Sequence, residues 1–540
     1  MKDISSTGSF INFYLNNYIY VDKTQYIRDL IKLERVFISR PRRFGKSLTL
    51  DTIATLFETG VEPYFKGTWI YDKWTEPTYP VFRLSFLNLD NFSIDEFKSE
   101  LNSKITDFAN KISVKGYVEK SEPENSIEGL LERLREEKRQ IVFLIDEYDY
   151  QLTSNINNDD LYKQFQHKIK RFYANIKNKW AIKFLGITGV TRLKDVEIFS
   201  IGSDIRDITN ASAYSQMIGF TRDEIKKYYI DYLKLAASYE NNCSVDNVTD
   251  EQIESMLDMM AQNYDGYCFD EFYKKKVFST WSVNSFFQSI IENKFVYFDE
   301  YWYDNGGLPS ILVNYLKTHE LNIFEYLDKD KFLKVSSDDF KNPTALTTIN
   351  QNVLMCQTGY LTLRSDLNKT STVALGIPNG EIYKALNRLL ANNIFKGNTD
   401  ITDDYGRSLL EVGTVDDIIN LFNSALNSVS YDNYPIVSES SVQNMLKLYL
   451  LGAHQKVLSE VHEAKGRADL VVNTDNRRIV FEFKYAKNET EAKSKLLDAV
   501  EQIKTRDYGN IVPKKTELLR IAAVFNADPK VRAFTEYQEV

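Results

Sequence analysis

The chain has 540 residues, 43% hydrophobic and 26% charged. That excludes a disordered polymer and supplies apolar material for several cores, roughly three or four domains by length. The formal net charge of −9 excludes a protein that coats nucleic acid by charge alone, although a local basic groove stays open. Cys243, Cys268 and Cys356 form no CxxC, which fits a reducing compartment and offers neither a disulfide framework nor a zinc site.

The opening residues Met1 to Ser6 lack the apolar stretch of a signal peptide, and no run of about 18 apolar residues follows. A cytoplasmic protein without a membrane span is therefore expected. The many aromatic residues (34 Tyr and 33 Phe) read as well-filled cores. Within 1–215, short apolar runs alternate with amphipathic stretches: Arg35 to Ser39, Val81 to Phe86, Ile141 to Ile145 and Ile182 to Ile187. They predict the strands of an α/β domain with a mostly parallel sheet. The stretch 216–425 is mainly helical by pattern, a lid or linker region with Thr221 as an N-cap and a further helix from Glu251 to Met260.

Ser428 to Pro435 breaks that pattern. The remainder, 426–540, reads as a helix (Val442 to Leu451), three strands (Lys456 to Val461, Ala468 to Asn473, Arg478 to Phe483), a long helix from about Glu489 to Lys504, and a last strand (Leu518 to Phe525). The order α-β-β-β-α-β predicts a second, separate α/β fold.

The first strand runs into Arg40-Pro41-Arg42-Arg43-Phe44-Gly45-Lys46-Ser47 and then a helix. Such a loop wraps phosphates with backbone N–H groups and the positive helix end. Gly45 permits the close approach, Lys46 reaches the β and γ oxygens, and Ser47 offers a hydroxyl to Mg²⁺. Arg40 stands where GxxxxGK[ST] has its first glycine. About 100 residues on, Ile141 to Ile145 ends in Asp146 and Glu147. Asp146 is suited to the Mg²⁺ shell and Glu147 to polarising an attacking water. Thr188, delivered by the strand that ends at Ile187, is expected to sense the γ-phosphate. Arg192 either touches that phosphate or pairs with an acid. Arg42 and Arg43, with Arg40, either bind phosphate oxygens or tether a neighbouring helical domain.

The C-terminal segment carries Gly466-Arg467-Ala468-Asp469 and then Phe481-Glu482-Phe483-Lys484. Glu482 and Lys484 are two apart on a strand and so share a face. With Asp469 across a hairpin they compose the D…(E)xK arrangement of phosphodiester cleavage: carboxylates for one or two Mg²⁺ or Mn²⁺ ions, and a lysine to orient water or stabilise phosphate charge. Glu460, with Glu463 as the fallback, adds an acid on the preceding strand. Gln502 on the long helix is a candidate for holding the scissile phosphate or a metal-bound water, with Tyr508 just beyond it. Residues 426–540 hold 17 Lys and Arg against 16 Asp and Glu, so the constellation carries the nucleic-acid expectation rather than the charge.

On these residues the chain resembles the AAA-ATPase-like proteins, P-loop ATPases coupled to a PD-(D/E)xK nuclease-superfamily domain. Matching stretches are Tyr20 to Thr24, Arg40 to Ser47, Phe143 to Asp149, Gly189 to Thr191, Tyr264 to Tyr267, Gln357 to Leu361, Gly466 to Asp469, Glu482 to Lys484, and Gln502-Ile503. The resemblance implies that Arg-Pro-Arg-Arg is the family's own loop, and that Lys46, Ser47, Asp146 and Glu147 take the Walker roles. Asp469, Glu482 and Lys484 take the nuclease roles, while Asp22-Lys23-Thr24 either contacts the base or orders the loop. Thr191-Arg192 replaces a more usual Ser-Lys. The implied cofactors are ATP and Mg²⁺, the implied partner is DNA or RNA, and a homo-oligomer is compatible. The family's bacterial setting suggests defence or genome conflict. A signalling ATPase with a non-cleaving C-terminal module, and a nucleotide-binding scaffold without hydrolysis, are the alternatives.

Overall fold

The computed structural model describes residues 1–193, 204–302, 310–316, 323–343, 345–395, 404–453, 455–463, 466–508 and 516–540. The chain divides into two compact units: Met1–His319 with Phe332–Ile382, and Glu320–Lys331 with Tyr383–Val540.

The first unit is built on strands β1 (Arg35–Ser39), β2 (Val81–Ser85), β3 (Ile141–Asp146), β4 (Ile182–Gly189) and β5 (Arg206–Asp207). Their order is β2-β3-β4-β1-β5 and every neighbouring pair is parallel. The apolar runs of β1 and β3 are buried along their length, as expected of strands covered on both faces. Aromatic residues fill this core as well as aliphatic ones; Phe82 stacks on Phe143 and on Phe108, with centroids 4.8 and 4.7 Å apart. Because the strands are parallel, Ser39, Asp146 and Gly189 end at one edge. β4 separates β1 from β3, with Ile38 beside Thr188 and Ser39 beside Gly189.

Of the helical middle region, 216–319 and 332–382 belong to this unit, whereas 320–331 and 383–425 fall in the second. Thr221 caps the helix Arg222–Tyr228 through a reciprocal bond with Glu224, and Thr249 caps Asp250–Tyr264 with Gln252, the capping box that supplies helix-start donors. Together with Ile230–Glu240 and Thr280–Asn293, these helices bury Ile225, Tyr229, Leu233, Met256 and Phe286 in one cluster. Ile19 and Val21 of the N-terminal segment join that cluster. A three-stranded sheet adds to the helices: β6 (Leu333–Ser336), β7 (Thr362–Leu363) and β8 (Thr372–Gly376), in the order β6-β8-β7. Its strands of two to five residues are too short for a period to stand out in the sequence.

The second unit holds a mixed sheet of β9 (Lys456–Glu463), β10 (Gly466–Asn473), β11 (Arg477–Ala486), β12 (Glu517–Asn526) and β13 (Ala533–Glu539), ordered β13-β12-β11-β10-β9. Only β11 and β12 pair in parallel, and the long helix Glu489–Arg506 makes that crossover. The helix Glu439–Gly452 precedes β9. Ala468, Val471, Val480, Ala499, Ile503 and Tyr508 form the core between helix and sheet. The expected α-β-β-β-α-β order is present, extended by the edge strand β13.

Candidate functional site

Gly45 ends the loop after β1 in a left-handed conformation, φ 100°, and the helix Lys46–Thr59 starts at once. A side chain is strained in that region, so glycine suits the position. The Lys46 ammonium is buried inside the loop and donates to the carbonyls of Arg40 and Pro41 at 2.9 Å each. Burial lowers its pKa, opposed chiefly by Asp146 and Glu147.

Ser47 Oγ donates to Asp146 Oδ2 at 2.6 Å, and Thr188 Oγ1 donates to Asp146 Oδ1. Three elements far apart in sequence thus meet at one carboxylate. Glu147 follows with φ 53°, a conformation uncommon for a side chain and enriched where function fixes the backbone. Its Oε2 is buried without a hydrogen-bond partner among the described residues. Burial raises its pKa, and the charge of Asp146 adds to the rise.

Asp149 locks this edge. Its buried carboxylate accepts from Thr191 N at 2.6 Å, Thr191 Oγ1 at 2.5 Å and Val190 N at 3.2 Å. The close approach requires Gly189, where an added Cβ would lie 2.4 Å from Tyr148 and 2.7 Å from Asp149.

A cavity of about 530 Å³ opens over the loop, the size class of a small-molecule site. Arg42 to Thr49 and Glu147 line one side; Tyr20, Val21, Lys23, Met217 to Phe220 and Trp281 line the other. Lys23 crosses from the N-terminal segment to the helical region, donating to Gln216 O at 2.8 Å and Glu224 Oε2 at 2.6 Å. Asp22 accepts from Thr24 N, Thr24 Oγ1 and Trp69 N at 2.9, 2.7 and 2.6 Å. Asp22-Lys23-Thr24 therefore orders this wall.

The middle region also grips the loop residue by residue. The Arg40 guanidinium sits 4.1 Å over the Phe269 ring, and Phe44 packs edge-on against Tyr267. Trp302 Nε1 donates to Arg42 O at 3.1 Å, Thr280 Oγ1 to Arg43 O at 3.0 Å, and Arg43 stacks 4.0 Å over Trp281. Gly359, at φ 96°, faces Pro41 so closely that an added Cβ would lie 2.8 Å from it.

In the second unit, Asp469 and Glu482 lie just beyond the last paired residues of β10 and β11, Leu470 and Phe481. Phe483 N donates to Asp469 Oδ2 at 2.8 Å. The Lys484 ammonium donates to Glu482 Oε1 at 2.7 Å and lies 3.4 Å from Glu439 Oε1. Glu482 is 1% exposed, and its second oxygen, Oε2, is buried without a partner among the described residues. Burial, and then the charge of Asp469, pushes its pKa up to about 7. Asp469 is also raised by burial, against the Phe483 N–H. Burial works to lower Lys484, but Glu482 outweighs it and the pKa is raised. Two carboxylates raised by burial, one of them with an unpartnered oxygen among the described residues, fit a divalent cation that keeps several waters. Among the described residues no group of three or more His, Cys, Asp or Glu forms a metal cage.

Residues 5–199 match the family model described as predicted AAA-ATPase, and residues 437–534 match that of the PD-(D/E)XK nuclease superfamily. The chain carries an AAA-ATPase-like domain and a PD-(D/E)XK nuclease-superfamily domain. It is 25% identical over 536 residues to the uncharacterized protein in the vnfD 5′ region of Azotobacter chroococcum mcd 1, covering 95% of this chain and 94% of that one. Among solved structures, Cdc6p from Pyrobaculum aerophilum is similar at 11% identity over 68% of this chain and 93% of its own, with a TM-score of 0.22, too loose a superposition to bear on the fold.

In the AAA-ATPase-like domain, Gly45, Lys46, Ser47, Asp146, Glu147 and Thr188 gather at one sheet edge, with Arg42 and Arg43 on the same cavity. Arg192 is paired with Asp207. In the nuclease-superfamily domain, Asp469, Glu482 and Lys484 converge. Gln502 instead donates to the Tyr508 hydroxyl at 3.2 Å, which also accepts from Arg506 at 2.8 Å. Glu460 lies on β9, but its side chain is outside the described residues, as is that of Glu463.

Sequence reasoning missed Glu439 and Gln443. They lie four apart on the helix Glu439–Gly452, so they share a face. Glu439 faces Lys484, and Gln443 donates to the Asp469 carbonyl.

Proposed function

We propose that this protein binds and hydrolyses ATP at the Lys46–Glu147 site and uses that cycle to regulate Mg²⁺-dependent cleavage of DNA or RNA phosphodiesters at the Asp469–Glu482–Lys484 site. The observation that carries the reading is a repeated one. Each cluster holds an acid, half-buried Glu147 or buried Glu482, with one buried oxygen left without a partner among the described residues and a pKa raised by burial. Such orphaned groups are costly in a core and belong to sites that hold ligands.

At the first site, Ser47 and Asp146 are the residues to hold Mg²⁺, Lys46 and the loop amides to bind phosphate oxygens, and Thr188 to orient Asp146. Glu147 is placed to take a proton from the attacking water. At the second, Asp469 and Glu482 are the residues to hold a divalent cation, Mg²⁺ or Mn²⁺, which when bound supplies positive charge to a phosphodiester under attack. Phe483 N–H fixes the Asp469 carboxylate, and Lys484 is placed to orient water or meet phosphate charge. Gln502 acts through Tyr508 as a positioning residue. The three-part division 1–215, 216–425 and 426–540, a cytoplasmic setting, a homo-oligomeric form and a role in defence or genome conflict complete this reading.

A second reading is a signalling ATPase whose C-terminal domain binds without cutting. The 2.7 Å Lys484–Glu482 ion pair favours it, because such a pair also serves as plain structure. The deciding experiment incubates the full chain with DNA or RNA, Mg²⁺ or Mn²⁺, and ATP. Cleavage by wild type and none by Glu482→Ala is expected. Intact nucleic acid under every condition would remove the nuclease and leave the second reading.

A further inference from the structure

The three arginines of the phosphate-binding loop have three different surroundings. Arg40 is 1% exposed and donates from Nη1 to Ser39 O at 2.8 Å and Thr209 O at 2.6 Å. With its face on Phe269, it is a fastening between loop and helical region. Arg43 lies over Trp281 with its own backbone at φ 68°. Arg42 is half-buried, and its side chain has neither a hydrogen bond nor an ion pair among the described residues. Among the described residues it is the Arg42 carbonyl that is held, by Trp302 Nε1. The guanidinium therefore starts from a fixed backbone point and, among the described residues, is otherwise uncommitted.

That point is on the wall of the cavity that Lys46, Ser47 and Glu147 also line. The charge of Arg42 reaches both Lys46, whose pKa it helps to lower, and Glu147, whose rise it opposes. The other arginine near this edge, Arg192, is occupied by Asp207.

Resting on the ATPase reading of this site, we infer that Arg42 is the cation that stabilises the transferring γ-phosphoryl group, supplied from within the same chain. In the step, a water oxygen attacks the γ-phosphorus while the bond from phosphorus to the β–γ bridging oxygen breaks. The electron pair stays on that oxygen as ADP leaves, and the water's proton passes to the Glu147 carboxylate and on to solvent. Negative charge spreads over the γ oxygens during this passage, and a guanidinium there acts on the transition state far more than on bound ATP. Arginine's fixed fork suits the task better than lysine's point charge. A second chain is then not needed to complete the site.

The test uses the full chain as wild type, Arg42→Ala and Arg42→Lys, with melting curves to confirm folding. A fluorescent ATP analogue reports binding, ADP with fluoroaluminate reports the transition-state geometry, and turnover is read across a hundredfold range of protein concentration. Arg42→Ala is expected to bind ATP within about threefold of wild type, to lose 10²-fold or more of kcat, on the order of the effect of removing such a cation, and to lose the fluoroaluminate complex. Arg42→Lys is expected to recover less than about a tenth of the lost rate. Wild-type turnover per chain is expected to be independent of concentration. Turnover by Arg42→Ala within threefold of wild type would overturn the assignment, as would turnover per chain that climbs with concentration. A wild-type chain that binds no ATP would overturn the ATPase reading itself, and one that binds without hydrolysing would leave a scaffold in which Arg42 has no catalytic part.

Discussion

The indole N–H of Trp302 donates to the carbonyl of Arg42 across 3.1 Å, joining a fully buried side chain of the helical region to the middle of the phosphate-binding loop. Trp302 is itself held, because its backbone N–H donates to Glu381 Oε1 at 2.8 Å, and Glu381 Oε2 accepts from Ser282 Oγ at 2.7 Å. Changing Trp302 to Phe removes the bond and leaves the Arg42 carbonyl without that donor. The expected cost is about 1–3 kcal/mol in urea or thermal unfolding, from the lost hydrogen bond and the smaller ring. ATP turnover is expected to fall several-fold with little change in ATP affinity, because the loop stays but Arg42 loses its fixed origin. Equal turnover with the stability loss present would make Trp302 a structural residue only.

Glu381 gives the same network a pH dependence. Burial pushes its pKa from 4.5 up to about 8, opposed by the Trp302 N–H and Ser282 bonds and reinforced by Glu300 and Asp299. The native state therefore holds a proton that the unfolded chain releases near 4.5. The linked stability is fully present below that value and is lost as pH rises through about 8. Thermal melts from about pH 5 to about 9.5, with hydrogen exchange followed over the peptides around Ser282 and Trp302, are expected to show wild type losing this stability between about pH 5 and about 8 and levelling off above. Glu381→Gln is expected to flatten that slope and to exceed wild type above pH 8.

How much of this was legible follows from where the information lies. Strand, loop and helix are contiguous around Lys46, so local pattern sufficed, and Asp146 announces itself by ending an apolar strand. The Asp469–Glu482–Lys484 cluster was readable because a hairpin and the two-residue period of β11 bring it together. A tether between the loop arginines and a helical domain was one of the two readings open there, but its partners were not legible. Tyr267, Phe269, Trp302 and Gly359 touch the loop from positions more than 200 residues away, and nothing in their spacing says which residue each meets. Glu439 was missed for a related reason. One acid in the first turn of a helix reads as a dipole partner until the packing of helix on sheet brings it near Lys484.

Asp149 should matter as much as the acids that face the cavity. Its carboxylate satisfies two backbone N–H groups and one hydroxyl from inside the protein. Asp149→Ala orphans all three, at an expected cost of about 2–5 kcal/mol. Because those donors set the path of the chain beyond Thr188, hydrolysis is expected to fall with stability. Asp149→Asn keeps an acceptor and is expected to restore part of both. The measurement is unfolding and ATP turnover on the same preparations; a fully stable Asp149→Ala would contradict the locking role.

Glu147 and Asp146 predict separable failures. Glu147→Gln keeps shape and size but cannot accept the water's proton, so ATP binding is expected to persist while kcat drops by about 10²-fold or more. Asp146→Ala removes the acceptor shared by Ser47 and Thr188 and is expected to weaken Mg²⁺-dependent ATP binding itself. Since Glu147 is held above the usual carboxylate range, wild-type turnover should rise with pH as its acid form is lost. Comparing titrations of nucleotide with and without Mg²⁺ in both variants distinguishes a proton acceptor from a metal-holding group.

Glu482 sets stability against function in the second unit. A carboxylate with one oxygen on Lys484 and the other buried without a partner, beside Asp469, is a poor choice for a core. Glu482→Gln removes the repulsion from Asp469 while keeping the volume, so without divalent metal the variant is expected to match or exceed wild type in hydrogen-exchange protection of β10 and β11. Mg²⁺ or Mn²⁺ should then add protection to wild type, as any ligand specific for the native state does, and add little to the variant. Nucleic-acid cleavage is expected to vanish in it. Should Glu482→Gln instead unfold these strands, the Lys484–Glu482 pair would be a structural brace, because a residue retained for its chemistry can be neutralised without cost to the fold.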